Sequence, residues 1–405
     1  MARWPMGRPS ILFLRRKPRA EVGLDLNAFI LVLFKEQILA MSQNKSGWIL
    51  RFFRWQWRLQ KILTRITKKQ ETVYVWDRIP FYKQMWQDAA KELSLKFTEL
   101  SRGIWEICYG ERRTIIANHG VQIDDLVILD LSANKPFCYK LMEEKGIRVP
   151  KYVTFNLNEL DKAEQFMNEN KGLFVIKPAI GTSAGIGVTT HIQSYIGLVK
   201  ATALASLYCD EIIIERLVVG ECYRLLILNG KMIDAVRRRG VWLKGDGRST
   251  ILQLIEKENQ RRFESRKNGS MKPLSQDHDF DVTLQAQGLS SGSIIKFGGS
   301  VLVKSIDTPD LKNVEVRTVY NENVTSLISQ DIRNTAERAA MALNSKFAGV
   351  DIIASDPTVP LEKSGGVVNE INTNPGLHHH YNLINNDGPS PALNVLRYLL
   401  RINPE

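Results

Sequence analysis

The stretch Gly366–His380 reads GVVNEINTNPGLHHH. Successive side chains of a β-strand point to opposite faces, so Glu370 and Asn372, two apart in VVNEIN, share one face. The preceding strand-like run GVDII, residues 349–353, can add Asp351 as a third oxygen donor. Carboxylate and amide oxygens are hard ligands that suit Mg²⁺ bridging phosphates and do not suit zinc. Taken alone, the same cluster would also fit an ordinary surface group of acids and amides.

Working outward, Lys177 lies late in the apolar run LFVIKP and is followed by GTSAGIG, residues 181–187. Small residues let backbone N–H groups approach phosphate oxygens, and a lysine nearby can neutralise them. The loop is neither the P-loop pattern nor a spaced GxGxxG fingerprint. Asn134-Lys135 opens a helix expected over Lys135–Lys145, closed by Gly146 in a left-handed cap and blocked by Pro150. KYVTF, GLFVIKP, GIGVTT, EIIIERL, ECYRLLILNG, KMIDAVRRRG, GVDIIAS and GGVVNEIN read as strands. Further helices are expected at Ser194–Leu207, Thr250–Arg262 and Ser329–Asn344. Upstream, the run from Tyr74 suggests a short strand and then a helix, and IWEICYG, ERRTIIANHG and DLVILDLS suggest more strands. Strands and helices mix with several hairpin-like joins, which argues α+β rather than a doubly wound sheet.

Taken together, VIKP, GIGVTT, the run Ile212–Arg238, GDGRSTILQLIEKEN, KPL, AGVDII and EINTNPGLHHH resemble the ATP-grasp superfamily of ATP-dependent carboxylate–amine ligases. The match covers roughly Ser132 to Pro389, and GDGRSTI with its following helix is similar to the ATP-grasp domain of cyanophycin synthetases and bifunctional glutathione synthetases. The resemblance implies an ATP-grasp fold: a short N-terminal α/β region, a mobile lid subdomain and a C-terminal antiparallel-sheet subdomain. Boundaries are expected at 1–70 for a basic appendage, 71–133, 134–215 and 216–405. By the same resemblance Lys135 and Lys177 contact the phosphates of ATP, and the loop with Gly181, Ser183, Gly185 and Gly187 closes over them. Glu215, Arg216 and Val218 belong to the adenine hinge, and Glu221 reaches the ribose. Arg224 and one of Arg237–Arg239 face the transferred phosphoryl group or the substrate, with Arg237 the catalytic choice and Arg239 and His378 on the substrate side. Asp351, Glu370 and Asn372 hold two Mg²⁺ ions. The implied reaction joins a carboxylate to an amine, on an amino acid or short peptide, through an acyl phosphate with release of ADP and phosphate. The same residues leave open an ATP-grasp phosphotransferase, another non-amide-forming ATP-dependent enzyme, or a non-catalytic scaffold at a membrane surface.

Departures from the family pattern bear on substrate. D-alanine–D-alanine ligases carry an arginine two residues before the metal aspartate, where this chain has Gly349, so the oxyanion role is expected elsewhere, at Arg237. The glycine-rich loop of cyanophycin synthetases is replaced by DLKNVEVRT. The family's P-loop ligase domain has no counterpart before Glu405, and a single ligase activity is expected. Three consecutive histidines, His378–His380, cannot all point one way; one or two are expected in the substrate pocket, whereas His119, His191 and His278 read as structural. Asp246, flanked by glycines, is expected to shape a turn.

Charge divides the chain sharply. The whole is +12, but residues 1–70 hold 15 basic and three acidic residues, so the remainder is balanced at 40 of each. No polycationic body is present, and no nucleic-acid partner is expected. Translation is expected to start at Met41, and no signal peptide is expected. Within the appendage, Arg51, Arg54, Arg58, Lys61 and Arg65 alternate steps of three and four, opposite Trp48, Ile49, Phe52, Phe53, Trp55, Leu59, Ile62, Leu63 and Ile66. Such a helix, residues 47–66, suits an anionic membrane surface, the protein's own body or a second subunit in a homo-oligomer, and its basic-aromatic interleaving could also serve RNA. Four scattered cysteines without a CxxC pair fit a reducing, cytoplasmic location, peripheral at a membrane if the helix binds one.

Overall fold

The computed structural model describes residues 45–67, 71–182, 187–264, 271, 273–276, 278–304, 320–381, 383–384 and 390–402. Ser183, Gly185, Met41 and the DLKNVEVRT stretch lie outside the described residues. Contacts divide the chain after Trp48, and Ile49–Glu405 forms one unit. The division falls inside the first described helix, α1 (Lys45–Thr67), rather than at residue 70.

Leu50 and Trp57 of α1 are buried, and Ile49 and Phe53 pack beside them, in a core shared with Phe155, Phe174, Ile176 and Leu198. Spacings of three, four and seven place Leu50, Phe53 and Trp57 on one stripe. Leu50 and Trp57 were not in the expected apolar set, so the docking stripe lies nearer the basic residues than the sequence reading placed it. Trp55 remains 54% exposed.

Next comes α2 (Glu71–Glu92), one continuous helix where a strand and then a helix were expected. Ile79, Tyr82, Trp86, Ala89 and Ala90 recur at helical spacing and are buried against Trp105, Ile107 and Val395. That burial outweighs the modest helix propensity of the β-branched and aromatic residues. Pro80 lies inside the helix with its ring on the exposed side. A meander of β1 (Lys96–Ser101), β2 (Ile104–Tyr109) and β3 (Arg112–Ala117) follows. DLVILDLS is not a strand: α3 (Leu126–Ser132) starts there because the Asp125 carboxylate accepts the Ile128 N–H at 3.0 Å. Asn134 caps α4 (Lys135–Glu144) in the same way, and Gly146 closes it at φ 68°, as expected.

Two antiparallel sheets then frame the molecule. The first runs in the order β4-β7-β5-β6, from β4 (Tyr152–Phe155), β5 (Phe174–Pro178), β6 (Thr189–Ile192) and β7 (Ile212–Arg216). It is covered by α5 (Leu160–Glu169) and α6 (Tyr195–Ala205). The second contains β8 (Glu221–Leu228) and β9 (Lys231–Arg238), joined at Asn229-Gly230, both at positive φ, as a tight hairpin between twisted strands requires. A small layer with its own core intervenes: β10 (Val241–Lys244), α7 (Ile251–Glu264), α8 (His278–Gln285) and β11 (Ser300–Lys304). Asp246 shapes the turn into α7, its carboxylate accepting the N–H groups of Arg248 and Ser249. The chain returns through β12 (Asn321–Asn323), α9 (Gln330–Ala342), β13 (Phe347–Ala354), α10 (Leu361–Ser364) and β14 (Val367–Thr373), giving the order β12-β9-β8-β13-β14. A 3₁₀ turn at Leu377–His380 and α11 (Pro391–Leu399) complete the described fold.

Candidate functional site

One cavity of about 1040 Å³ opens between the two sheets, with Lys177 and Glu215 on one wall and Arg224, Asp351, Glu370 and Asn372 on the other. On the first wall β5 and β7 pair antiparallel and bring Lys177 beside Glu215, Nζ to carboxylate at 2.8 Å. Both are buried. The Tyr139 hydroxyl from α4 accepts from Lys177 at 2.9 Å and donates between the Glu215 carboxylate and the Asn369 carbonyl. Burial, then the Glu215 charge, push that phenol well above its ordinary value, so it keeps its proton. Lys135 reaches the same cavity, its Nζ donating to the Thr182 carbonyl at 3.1 Å. Burial lowers the Lys135 ammonium, and the Glu370 charge opposes the shift.

On the second wall Asp351 and Glu370 are directly paired across β13 and β14. Arg224 of β8 lies opposite Asp351 on its other side and grips it bidentately, at 2.7 and 2.6 Å. Arg238 and Asn372 complete the shell of Asp351 at 3.5 and 3.3 Å. Burial works to raise the Asp351 carboxyl, but Arg224 outweighs it and holds it below the ordinary range. The carboxylate of Glu370, a half-buried residue, makes no hydrogen bond among the described residues. The donor set fits Mg²⁺: every oxygen is hard, and Glu370 has its lone pairs uncommitted.

Several expected residues are placed differently. Arg237 lies opposite Tyr223 in the β8–β9 ladder, on the face away from the cavity, bonded to Glu322 and Glu221. Arg238, one residue on, lines the cavity instead. Arg237 therefore does not face the cavity, as was expected of it, and Arg238 does, a parity set by the ladder register. A Cβ at Gly349 would stand 3.2 Å from Pro375 Cβ, a tight contact, and 3.4 Å from Arg224 Cδ, an ordinary one. Glu221 and Arg239 lie at the cavity rim, paired at 3.0 Å. Arg216 and Val218 line the cavity; Gly181 and Gly187 bracket the undescribed part of the glycine loop.

Of the three histidines, His378 and His379 line the cavity with ring centroids 3.9 Å apart. His380 turns away and pairs with buried Asp234 at 2.5 Å. His119, expected to be structural, lines the cavity too, as does Arg78 of α2, which the sequence reading did not single out. No local motif marks either residue; they arrive through the packing of α2 and the turn after β3.

No family model matches the chain. The fold is that of the ATP-grasp ligases. A bifunctional glutathione synthetase from Pasteurella multocida superposes with a TM-score of 0.58 at 21% identity, covering 80% of this chain and 44% of that one. In sequence the chain is 27% identical over 288 residues to the cyanophycin synthetase of Synechocystis, covering 69% of this chain and 32% of the relative. It is 28% identical over 263 residues to the bifunctional glutathione biosynthesis protein of Listeria innocua, covering 64% of this chain and 32% of the relative. The chain thus spans about a third of the length of the curated relatives it matches. Those homologues are ligases that form carbon–nitrogen bonds.

Proposed function

We propose that this chain is an ATP-dependent carboxylate–amine ligase acting on an amino acid or short peptide. The observation that carries the reading is the two-walled cavity, with Lys135 and Lys177 facing the oxygen set Asp351, Glu370 and Asn372. ATP lies with its adenine against Arg216–Val218 and its phosphates toward Lys135 and Lys177. Asp351, Glu370 and Asn372 would hold two Mg²⁺ ions, and the metal would supply charge neutralisation at the phosphoryl group. A carboxylate does not react with an amine at neutral pH; phosphorylation gives an acyl phosphate that the amine attacks, releasing phosphate. Arg224 and Arg238 stabilise the developing oxyanion, and closure of the segment 134–215 as a lid keeps water from the acyl phosphate.

Among the described residues no helix is long and apolar enough to cross a membrane. The docking of Leu50 and Trp57 favours the protein's own body as the partner of the appended helix. We place the enzyme in the cytoplasm, supported by four unpaired thiols, with the exposed Arg51, Trp55 and Arg58 edge of α1 offered to an anionic membrane surface. Flotation of the full chain with anionic but not neutral liposomes tests the last point; no flotation removes it. The activity is tested by ADP release from the full chain across pairs of carboxylates and amines, with mass spectrometry for a stable amide. ADP release that needs no amine and yields no amide would overturn the ligase reading.

A further inference from the structure

Two of the three histidines in the 3₁₀ turn have their rings engaged. The Tyr82 hydroxyl lies 2.7 Å from His378 Nδ1, and burial raises that phenol, so the phenol donates and the imidazole accepts. His380 Nδ1 lies 2.5 Å from the Asp234 carboxylate. The ring of His379 is different. It makes no hydrogen bond among the described residues, although the residue is only 8% exposed and lines the cavity. Buried polar groups are nearly always hydrogen-bonded, so a ring left open in this way calls for a physical reason.

The backbone on either side of that ring is tied to the five-stranded sheet. β12 pairs with β9 so that Asn321 lies directly opposite Arg238, and the Asn321 amide donates to the His379 carbonyl at 2.7 Å. Asp234 shares a face of β9 with Arg238 and accepts from Asn323 at 2.6 Å and from Thr325 at 2.7 Å, so its hold on His380 is itself braced. Arg238 in turn stands 3.5 Å from Asp351. These links bring His379 to the wall that carries Arg224 and Arg238. Burial, then the charges of His378, Arg224, Arg238 and His380, hold its imidazole well below the ordinary value, so it is neutral and keeps a lone pair. The triphosphate of bound ATP offsets the guanidinium charges and raises the proton affinity of the ring once the nucleotide is in place. The carboxylates nearby are less suited to take a proton: Asp351 is gripped by Arg224, Glu215 by Lys177, and Glu370 is assigned to the metal.

We propose that His379 is the general base of amide formation, its open ring nitrogen taking the proton that the attacking amine must shed. The inference rests on the ligase reading and adds a catalytic residue to it. The amine lone pair forms the C–N bond while the carbonyl π pair moves to oxygen, and the proton on nitrogen passes to His379. The oxyanion then collapses, the C–O bond to phosphate breaks with its electron pair on the phosphate, and the imidazolium returns the proton to that phosphate. The test uses the full chain with ATP, Mg²⁺ and the protein amino acids as acids. Two kinds of nucleophile are compared: the same amino acids, whose amines are protonated at neutral pH, and hydroxylamine, which is mostly unprotonated and needs no base. His379→Gln is expected to lower amide formation by about 10²-fold and to leave hydroxamate formation near that of the wild type. In His379→Ala, free imidazole is expected to restore part of the amide yield. Equal loss of amide and hydroxamate, with no recovery of the amide by imidazole, overturns the base and leaves the ligase reading standing. Amide formation undiminished in both variants does the same. A wild-type chain that forms neither amide nor hydroxamate with any of the acids strikes the ligase reading, and the base falls with it.

Discussion

The two walls of the cavity each bury a cation against a carboxylate, and they differ in what stands beside the pair. Lys177 is held by Glu215 and by the Tyr139 hydroxyl, which fixes its ammonium at the cavity wall. Arg224 and Asp351 are just as buried, but they lie beside Arg238 and beside Glu370, whose carboxylate makes no hydrogen bond among the described residues. A sealed pair positions backbone and sets polarity. An open group keeps lone pairs for something that arrives. The uncommitted carboxylate therefore belongs to the five-stranded sheet, and the four-stranded sheet presents a lysine that is already engaged.

The sharpest way to break that contrast is Glu370→Gln. It should lower ADP formation by about 10²–10³-fold, because transition-state charge loses a preorganised partner. Its melting temperature should not fall, since no internal bond is lost; a large drop would mean that Glu370 is a structural group. The sealed pair should behave the other way. Lys177→Met leaves Glu215 buried without its cation and should cost about 3–5 kcal/mol in urea unfolding. Adding Glu215→Leu should recover most of that loss while nucleotide binding stays absent. If the double variant is no more stable than the single one, the pair is not sealed as described. Next in size is the pair of neighbouring arginines: Arg238→Ala should lower kcat about tenfold or more, and Arg237→Ala should leave kcat nearly unchanged while losing about 1–3 kcal/mol of stability. The reverse pattern would restore the sequence expectation. The smallest effect concerns thiols. Burial pushes Cys222 up to about 11 and Cys138 up to about 12, so only the scarce thiolate reacts at pH 8. Alkylation of Cys222 in the native protein should be slow at pH 8 and rise with pH toward 11, as peptide mapping after iodoacetamide would read.

Much of the central sheet was legible because its punctuation is local. Asn229-Gly230 separates β8 from β9, and alternation in VVNEIN puts Glu370 and Asn372 on one face without help from the rest of the fold. What was not legible depended on partners distant in the chain. The aromatic run of α2 reads as strand until Trp105, Ile107 and Val395 are there to cover one helical stripe. DLVILDLS reads as strand unless Asp125 is weighed as a cap. That Arg238 rather than Arg237 faces the cavity is a matter of register, and register is a property of two strands. Arg78 and His119 had no signal at all, since their meeting with His378 is created by tertiary packing alone.

The burial of Leu50 and Trp57 has a practical side. These side chains cover part of the apolar core that packs against the four-stranded sheet. A polypeptide trimmed to begin at residue 71, where charge composition would invite the cut, would bare that surface to solvent. Its faults would be colloidal ones: self-association at working concentration, loss on concentration and a haze on warming, all with every catalytic side chain still in place.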